Sequence, residues 1–234
     1  TIIIPPHNEE TRLPVSLEMV KSFLASHPYE AEVIVVENGS SDHTLQVAQS
    51  FSRNFPSFQV LHEDQPGKGN AVRLGMLAAH GEFRFIADAD LSMPIDQLSY
   101  FLPPESNADI TIASREVPGA RRYDEPYYRH LTGRVFNFFI RTLVLPGLQD
   151  TQCGFKCFRA PVADILFRKQ TLTGWTFDVE LLVIARHLGF TIQERGIPWY
   201  YYPGSKINIW VHSWRMFLDL LTIRRNLRQG LYDD

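Results

Sequence analysis

An apolar run within residues 84–87 ends in two aspartates, Asp88 and Asp90, which a single alanine separates. Carboxylates at the end of a strand offer hard oxygen ligands from a fixed edge. Such ligands suit Mg²⁺ or Mn²⁺ that already holds a substrate diphosphate. Aspartate before a helix is also a common N-cap, so the pair taken alone fits either a metal site or a helix cap.

Acidic and amide side chains also follow two earlier apolar runs. The first run ends in PPHNEE at residues 5–10, and the second in ENGSSDHT at residues 37–44. If these runs are parallel strands, their carboxyl ends lie at the sheet edge where ligands of such folds bind. Like charges converge there only if a cation or a cationic ligand offsets them. The second segment also fits a plain turn followed by a helix cap.

Arginines cluster further along the chain. Arg115 ends the apolar run TIASR, and the segment after it adds Arg121, Arg122, Arg129 and Arg134. A guanidinium fork binds phosphate at two points, which a lysine does not do. The cluster predicts a phosphate site, and the alternative is a solvated basic loop paired with Asp124 and Glu125.

The segment QPGKGN differs from a phosphate-binding P-loop. That motif needs a glycine five residues before the Gly-Lys pair and Ser or Thr after it, whereas this chain has His62 and Gly69 there. Gly67 and Gly69 permit a tight loop. Either a nucleotide lies near its backbone and Lys68, or the lysine is exposed on a simple turn.

Short apolar runs alternate with helical patterns in the first part of the chain. The apolar runs are TIIIP, AEVIVVE, FQVLHE and EFRFIAD, and helical patterns cover residues 14–26, 42–54 and 68–79. Buried parallel strands have this uninterrupted apolar character, and the longer segments between them fit crossover helices. The pattern predicts an α/β fold.

The composition bounds the class of protein. A chain of 234 residues, of which 44% are hydrophobic, fits one domain of about 150 to 250 residues. The net charge of -3 gives no reason to expect nucleic-acid binding. Cys153 and Cys157 would stand roughly 13 Å apart on a strand, too far for a disulfide, so we expect reduced thiols. Thr1 already belongs to an apolar run, so we expect a trimmed natural start, and a lost leader or anchor stays open.

Residues 207–234 have the pattern of an amphipathic helix. Its apolar stripe, with a spacing of three to four residues, consists of Trp210, Trp214, Phe217 and Leu221. Aromatic residues on one side and arginines toward one end suit a membrane interface. Packing on the domain or on a subunit partner explains the same stripe. The apolar segment VFNFFIRTLVL offers a second surface that could face lipid, although no run reaches the roughly 18 apolar residues of a bilayer span.

Taken together, eight segments resemble the family 2 inverting glycosyltransferases of GT-A fold. In order from residue 1 to about residue 206 they are IIIPPHNEE, VVENGSSDHT, GKGNAVRLGM, IADADLSMP, ASR, DTQCGFK, WTFDVELLVIA and GSK. Within that family the segments most resemble the enzymes that make dolichyl-phosphate glucose, with polyprenyl-phosphate mannose synthases as relatives. DTQCGFK, FDVELL and GSK narrow the resemblance to enzymes with lipid-phosphate acceptors. The resemblance implies one GT-A domain over residues 1–206, with a mixed, mostly parallel sheet flanked by helices.

The resemblance also implies a nucleotide-sugar site at the sheet edge. Asp90 matches the ligand of Mg²⁺ or Mn²⁺, Asp88 matches a residue close to both nucleotide and metal, and Ser92 matches a further ligand of some relatives. The loops around base and ribose are matched by Pro5, His7, Asn8, Glu9 and Glu37, and the diphosphate-binding lysine is matched by Lys206. We also assign Lys68, between Gly67 and Gly69, to nucleotide binding.

On the acceptor side, Arg115 and Arg129 match ligands of the acceptor phosphate, and we assign Arg134 with them. Asp150 matches a residue that acts as a base or lies near the acceptor. With a phosphate acceptor its simpler task is positioning, either of sugar hydroxyls or of an arginine.

Sugar contacts are implied by the later motifs. Asp178 and Glu180 match a pair that contacts the sugar, on a helix whose Phe177 and Leu181 should face the core. Gly154 would let the backbone approach the sugar.

The predicted function is the inverting transfer of a hexose, preferably glucose, from a nucleotide diphosphate to a dolichyl or polyprenyl phosphate. A divalent cation held by Asp88 and Asp90 would stabilise the leaving diphosphate. An acceptor phosphate with a second pKa of about 6 is already anionic at neutral pH, so it needs cations and not a base. We expect Asp90, Asp150, Arg115 and Arg129 to act in catalysis, in a protein that lies peripherally on the cytoplasmic face of a membrane.

Several alternatives stay open. Within the enzyme class they are a GDP-mannose-dependent polyprenyl-phosphate mannose synthase and an enzyme with a soluble acceptor. A non-catalytic nucleotide-sugar binding module belongs to a different class. A sugar nucleotidyltransferase should carry a glycine-rich loop near its first strand, which PPHNEETRLP lacks. The sequence leaves the oligomeric state unknown.

Overall fold

The computed structural model describes residues 1–202 and 209–233, without the side chains of residue 129 and of residues 209–213. Strands and helices alternate along the chain. In order they are β1 (Ile2–Ile4), α1 (Leu13–Ala25), β2 (Val33–Glu37), α2 (Thr44–Ser52), β3 (Phe58–His62), α3 (Lys68–Ala78), β4 (Phe83–Ile86), a 3₁₀ helix (Ile95–Phe101), β5 (Ile110–Ser114), β6 (Arg121–Tyr123), α4 (Tyr127–Leu143), β7 (Lys156–Arg159), α5 (Ala160–Lys169), α6 (Phe177–His187), β8 (Ile192–Gly196), β9 (Pro198–Tyr200) and α7 (Ile209–Arg228).

Seven strands form one sheet in the order β3-β2-β1-β4-β7-β5-β8, and β6 pairs with β9 apart from it. In the large sheet only β7 is antiparallel to its neighbours, β4 and β5. Because both of them oppose β7, the carboxyl ends of β1, β2, β4 and β5 lie at one edge. The segment that leads into β7 starts from the same edge. The predicted α/β fold with a mixed, mostly parallel sheet is confirmed.

Helices cover both faces of the sheet. On one face Ile3, Ile34 and Val36 pack with residues of α3, α5 and α6. On the other face, Ile4 and Val35 pack with residues of α1. Strands buried on both faces favour apolar residues on both, which explains the apolar runs of the fully buried β1 and β2. The three predicted helices correspond to α1, α2 and α3, each within two residues at either end.

Both cysteines are free and buried, as predicted. Burial raises the pKa of Cys153 to about 11 and that of Cys157 to about 12. The two thiols therefore remain protonated at neutral pH and pack as small apolar groups.

Helix α7 packs on the domain with a different face from the predicted stripe. Leu220 and Ile223 are fully buried, whereas Trp214 is 65% exposed and Leu221 44% exposed. The interpretation that the stripe packs on the domain is thus wrong for Trp214 and Leu221, and the side chain of Trp210 lies outside the described residues. Among the helices of the described ranges, none combines the length and the apolar character that a membrane crossing requires.

Candidate active site

The loops after β1 and β2 are tied together at the common edge of the sheet. Asn8 adopts a left-handed backbone conformation with φ 55°, and its N–H donates to Ser40 Oγ at 3.0 Å. Ser41 N–H donates to Asn8 Oδ1 at 2.8 Å, and Glu9 N–H donates to Thr44 Oγ1 at 2.7 Å. The two segments that sequence reasoning placed around a nucleotide therefore form one polar surface.

Three more of the predicted nucleotide residues border this surface. His7 is exposed, and its Nδ1 lies 2.7 Å from the carbonyl oxygen of Asn38. Glu9 accepts two hydrogen bonds from the Arg12 guanidinium, both at 2.6 Å. Pro5 is half-buried at the end of β1. Their contacts with a nucleotide remain predictions.

Glu37 is buried at the end of β2 and shapes the next loop. Its carboxylate accepts from Ser40 N–H and lies 2.6 Å from His62 Nδ1. Burial alone would raise the pKa of Glu37, but the hydrogen bonds from Ser40 and His62 outweigh burial and lower this pKa. Hydrogen bonding to Glu37 in turn raises the pKa of His62. Only 2% of the Glu37 side chain is exposed, so its observed role is to hold the loop at Ser40. Its contact with the nucleotide base stays a prediction.

Asp88 and Asp90 lie at the end of β4. Lys68 Nζ lies 2.5 Å from Asp88 Oδ1. Asp90 Oδ1 accepts from Ser92 N–H at 3.0 Å and from Ser92 Oγ at 2.8 Å, so this serine orients the aspartate. Burial and the neighbouring charge of Asp88 raise the pKa of Asp90.

Gly154 makes room for Asp88. A Cβ atom at Gly154 would lie 1.9 Å from Asp88 Oδ2, far inside van der Waals contact. The group against the backbone of Gly154 is this carboxylate, and the expected approach of the sugar to Gly154 stays a prediction. Sequence reasoning had no signal for a contact between residues so far apart in the chain.

The carboxylate pair fits a divalent cation that is shared with a substrate. In the described part of the chain, no group of three or more His, Cys, Asp or Glu side chains is arranged to hold a metal ion. Asp88 and Asp90 supply two hard oxygen donors whose like charges raise the pKa of Asp90. Mg²⁺ and Mn²⁺ suit such a donor set, because Mg²⁺ commonly takes its remaining ligands from water and substrate phosphates.

Lys68 is enclosed, so the alternative of an exposed lysine on a simple turn is wrong. It begins α3, its side chain is 16% exposed, and Nζ lies 5.2 Å from the centre of the Trp175 ring. Burial would lower the pKa of Lys68, but the charges of Asp88 and Asp178 outweigh burial and raise it. Lys206, the other predicted lysine, lies outside the described residues.

The half-buried Arg115 pairs with the fully buried Asp150 at the end of β5. Arg115 Nε lies 2.7 Å from Asp150 Oδ2, Nη2 lies 3.0 Å from Oδ1, and Arg115 N–H donates to the same carboxylate. Burial opposes the charge of Asp150, but the Arg115 charge and its hydrogen bonds lower the pKa of Asp150 to about 2. A fully buried carboxylate with both oxygens on an arginine fits positioning better than proton removal.

The remaining arginines differ in their surroundings. Arg122 pairs with Glu116 at 2.6 Å and with Glu125 at 2.5 Å. For this residue, the alternative of an arginine paired with nearby carboxylates therefore fits better than a phosphate ligand. Arg121 is exposed on β6 and Arg134 on α4. The side chain of Arg129, although its backbone belongs to α4, lies outside the described residues.

Trp199, on β9, is a residue that sequence reasoning missed. The guanidinium carbons of Arg115 and Arg122 lie 5.3 Å and 5.9 Å from the centre of its ring. Cation–π contact with an indole face orients such side chains. The aromatic run after β8 in the sequence was the available signal.

Asp178 and Glu180 are buried inside the domain, and the fully buried Glu180 is not placed to contact a sugar, which corrects the expectation for this residue. Asp178 lies close enough for its charge to act on Lys68, so its sugar contact stays a prediction. Asp178 Oδ2 lies 2.9 Å from Nζ of Lys156, a buried lysine on β7 that sequence reasoning also missed. Glu180 is fully buried and accepts hydrogen bonds from Thr171, Leu172 and Tyr232. The core positions predicted on this helix, Phe177 and Leu181 among them, are confirmed as buried.

The segment between residues 150 and 155 joins the two halves of the site. Asp150, at its beginning, holds Arg115, and Gly154, near its end, lies against Asp88. Because β7 runs antiparallel between β4 and β5, this segment crosses the edge between their carboxyl ends. A candidate cation site and a candidate phosphate site are thus fixed side by side.

Comparison with known proteins gives a consistent family. Residues 1–166 match the family described as Glycosyl transferase family 2. A dolichyl-phosphate beta-glucosyltransferase of Drosophila melanogaster is 36% identical over 95% of this chain and 73% of its own length. Those of Homo sapiens and Saccharomyces cerevisiae are 33% and 29% identical, over 99% and 100% of this chain and 76% of their own lengths.

Solved structures share the fold. Glucosyl-3-phosphoglycerate synthase from Mycobacterium tuberculosis in complex with UDP superposes with a TM-score of 0.69 and 17% identity, over 96% of this chain and 79% of that one. The same enzyme with Mn²⁺, UDP and glucosyl-3-phosphoglycerate gives a TM-score of 0.68 and 16% identity, over 95% and 78%. At this identity the likeness shows the GT-A architecture alone.

Proposed function

The chain belongs to glycosyl transferase family 2, and we propose that it transfers glucose from UDP-glucose to dolichyl phosphate with inversion at the sugar. The observation that carries this proposal is the segment at residues 150–155, which holds Arg115 and packs on Asp88 at one sheet edge. Relatives named as dolichyl-phosphate beta-glucosyltransferases, similar over 95–100% of the chain, support the choice of substrates.

The donor lies on the β4 side. Asp88 and Asp90 would hold Mg²⁺ or Mn²⁺, which when bound supplies positive charge that stabilises the departing diphosphate. Lys68 neutralises one of the two carboxylates, and we assign it to the diphosphate of the donor. The joined loops at residues 5–9 and 37–41 receive the uridine.

The acceptor lies on the β5 side, with its phosphate on Arg115. An oxygen of the phosphate attacks the anomeric carbon while the bond from that carbon to UDP breaks on the opposite face, so the configuration inverts and UDP leaves. The acceptor oxygen is already anionic at neutral pH, so the reaction needs no proton acceptor. Asp150 therefore positions Arg115, and Arg129 and Arg134 complete the phosphate contacts.

The lipid tail of the acceptor requires contact with a membrane, and we place this contact on α4 and α7. Both helices carry an exposed apolar surface, and Phe139 of α4 meets Phe217 of α7 with ring centres 5.9 Å apart. The surface consists of Tyr127, Tyr128, Leu131, Val135, Phe138, Phe139, Trp214, Leu218 and Leu221. Arg134, Arg215, Arg224 and Arg225 are exposed on the same helices, and such charges suit anionic headgroups. We propose that the protein acts peripherally on a membrane, at its cytoplasmic face.

The test is transfer of radiolabelled glucose from UDP-glucose to dolichyl phosphate with Mg²⁺ or Mn²⁺. Dolichol, which lacks the phosphate, is the matched control acceptor, and 3-phosphoglycerate tests a soluble acceptor. We expect label only on dolichyl phosphate and its loss with a chelator. Label on dolichol, or on the soluble acceptor alone, would overturn the acceptor assignment.

A further inference from the structure

A tyrosine after α7 belongs to a buried cluster that the proposed chemistry does not use. Tyr232 is fully buried. Its hydroxyl donates to Glu180 Oε1 at 2.8 Å and accepts from Asn226 Nδ2 at 3.2 Å. Asp233 next to it contacts His187 at 2.6 Å, which fastens this end of the described chain to α6.

Glu180 also accepts hydrogen bonds from the loop between α5 and α6. Leu172 N–H donates to Glu180 Oε2 at 2.8 Å, and Thr171 donates to the same carboxylate through its N–H at 3.0 Å and its hydroxyl at 2.5 Å. Because the carboxylate is fully buried, these donors take the place that water has around an exposed carboxylate. Loss of one donor therefore disturbs the others.

The loop at residues 170–173 then lies directly against the start of α3. Gly69 N–H donates to Thr173 O at 2.8 Å, and Gln170 Nε2 donates to Gly69 O at 3.0 Å. A Cβ at Gly67 would lie 2.3 Å from Thr173 O, so the two backbones touch. Between these glycines stands Lys68, whose Nζ reaches Asp88.

We propose that Tyr232 is a positioning residue for the donor side of the site, acting through Glu180 and the 170–173 loop on Lys68. The segment after α7 thereby sets the affinity for the nucleotide diphosphate without touching it. This inference rests on the proposed function, in which Lys68 and Asp88 belong to the donor site.

The test uses Tyr232→Phe in the full chain, which removes only the hydroxyl. Binding of UDP with Mn²⁺ should weaken about fivefold, the equivalent of one buried hydrogen bond, and the KM for UDP-glucose should rise while the KM for dolichyl phosphate stays unchanged. Thr171→Val, which removes another donor to Glu180, should shift the same two quantities in the same direction.

Ser106→Ala is the matched control for a lost buried hydroxyl. Ser106 Oγ lies 2.6 Å from Thr111 Oγ1 and 2.9 Å from Gln193 Oε1, and neither partner belongs to the site. This variant should lose as much thermal stability as Tyr232→Phe and keep its affinity for UDP.

Because Tyr232 acts through Lys68, the effect of Tyr232→Phe on UDP binding should depend on the presence of Lys68. In a Lys68→Met background, Tyr232→Phe should change UDP affinity by less than about twofold, since coupled residues do not contribute additively. An equal loss in both backgrounds, or an unchanged UDP affinity in Tyr232→Phe, would overturn the inference. If the unaltered chain bound no UDP with Mn²⁺ or Mg²⁺, the proposed function would fail first and the inference with it.

Discussion

At the scale of single residues, Gly154 is the sharpest test of the site geometry. Gly154→Ala places a methyl group 1.9 Å from the former position of Asp88 Oδ2, so the carboxylate must move. A displacement of this size should lower kcat/KM on the order of 100-fold with little change in the melting temperature. Gly133→Ala, where an added Cβ meets nothing within 4 Å, is the control, and equal activity of the two variants would contradict the geometry.

Asp150→Asn separates positioning from base catalysis. The amide keeps the size of the side chain and loses its charge, so Arg115 should be held less firmly. We expect the KM for dolichyl phosphate to rise about tenfold, the cost of one charge-assisted hydrogen bond, with kcat and the pH profile nearly unchanged. A collapse of kcat together with loss of the acidic limb of the pH profile would instead identify Asp150 as the base.

The pKa of His62 reports the buried carboxylate of Glu37. Hydrogen bonding to Glu37 raises the pKa of His62 above its ordinary value of 6.5. The pair therefore stabilises the fold fully between about pH 4.5, the ordinary pKa of Glu37, and about pH 6.5. This contribution is lost as the pH rises through the raised pKa of His62 or falls through the lowered pKa of Glu37. Histidine NMR should show Glu37→Gln bringing the pKa back toward 6.5, and Asp64→Asn, which removes an exposed partner, lowering it less. The same His62 pKa in Glu37→Gln would refute the pairing.

At the scale of elements, the sequence predicted the first four strands. It did not predict β7 or the segment at residues 150–155 that leads into β7 across the edge of the sheet. The apolar runs correspond to β1, β2, β3 and β4, and every residue of β1 and β2 is buried, as expected for strands covered on both faces. β7 was not predicted, and it carries Lys156, whose charge is matched by Asp178 inside the fold. A single chain cannot reveal such a distant partner.

The apolar surface on α4 and α7 carries a prediction of its own. Replacing Phe138 and Trp214 together by serine removes two exposed aromatic side chains, so binding to vesicles containing anionic lipid should fall at least about tenfold. Val15→Ser, which removes an exposed apolar residue from α1, is the matched control in a flotation assay. If the double variant floats as well as the unaltered chain, another surface meets the membrane.

At the scale of the whole molecule, the sequence predicts which polar residues meet at the sheet edge better than it predicts the contacts that hold those residues in place. Asp88, Asp90 and Arg115 follow strand ends, so the fold class alone brings them to one edge. Gly154, Trp199 and Tyr232 act through contacts with residues far away in the chain, which spacing does not encode. Glu180 was misassigned for the same reason, since a carboxylate near a site and one buried beneath it look alike in a sequence.

One measurement tests the proposed reaction most directly: the transfer of labelled sugar to dolichyl phosphate from UDP-glucose and from GDP-mannose in parallel. In the proposed reaction the donor and acceptor sides lie at one edge of the sheet, and the attack is a single displacement. We therefore predict glucose on the lipid phosphate from UDP-glucose, with the β configuration by NMR, and no mannose from GDP-mannose. Transfer of mannose, or an α-linked glucose, would contradict the account.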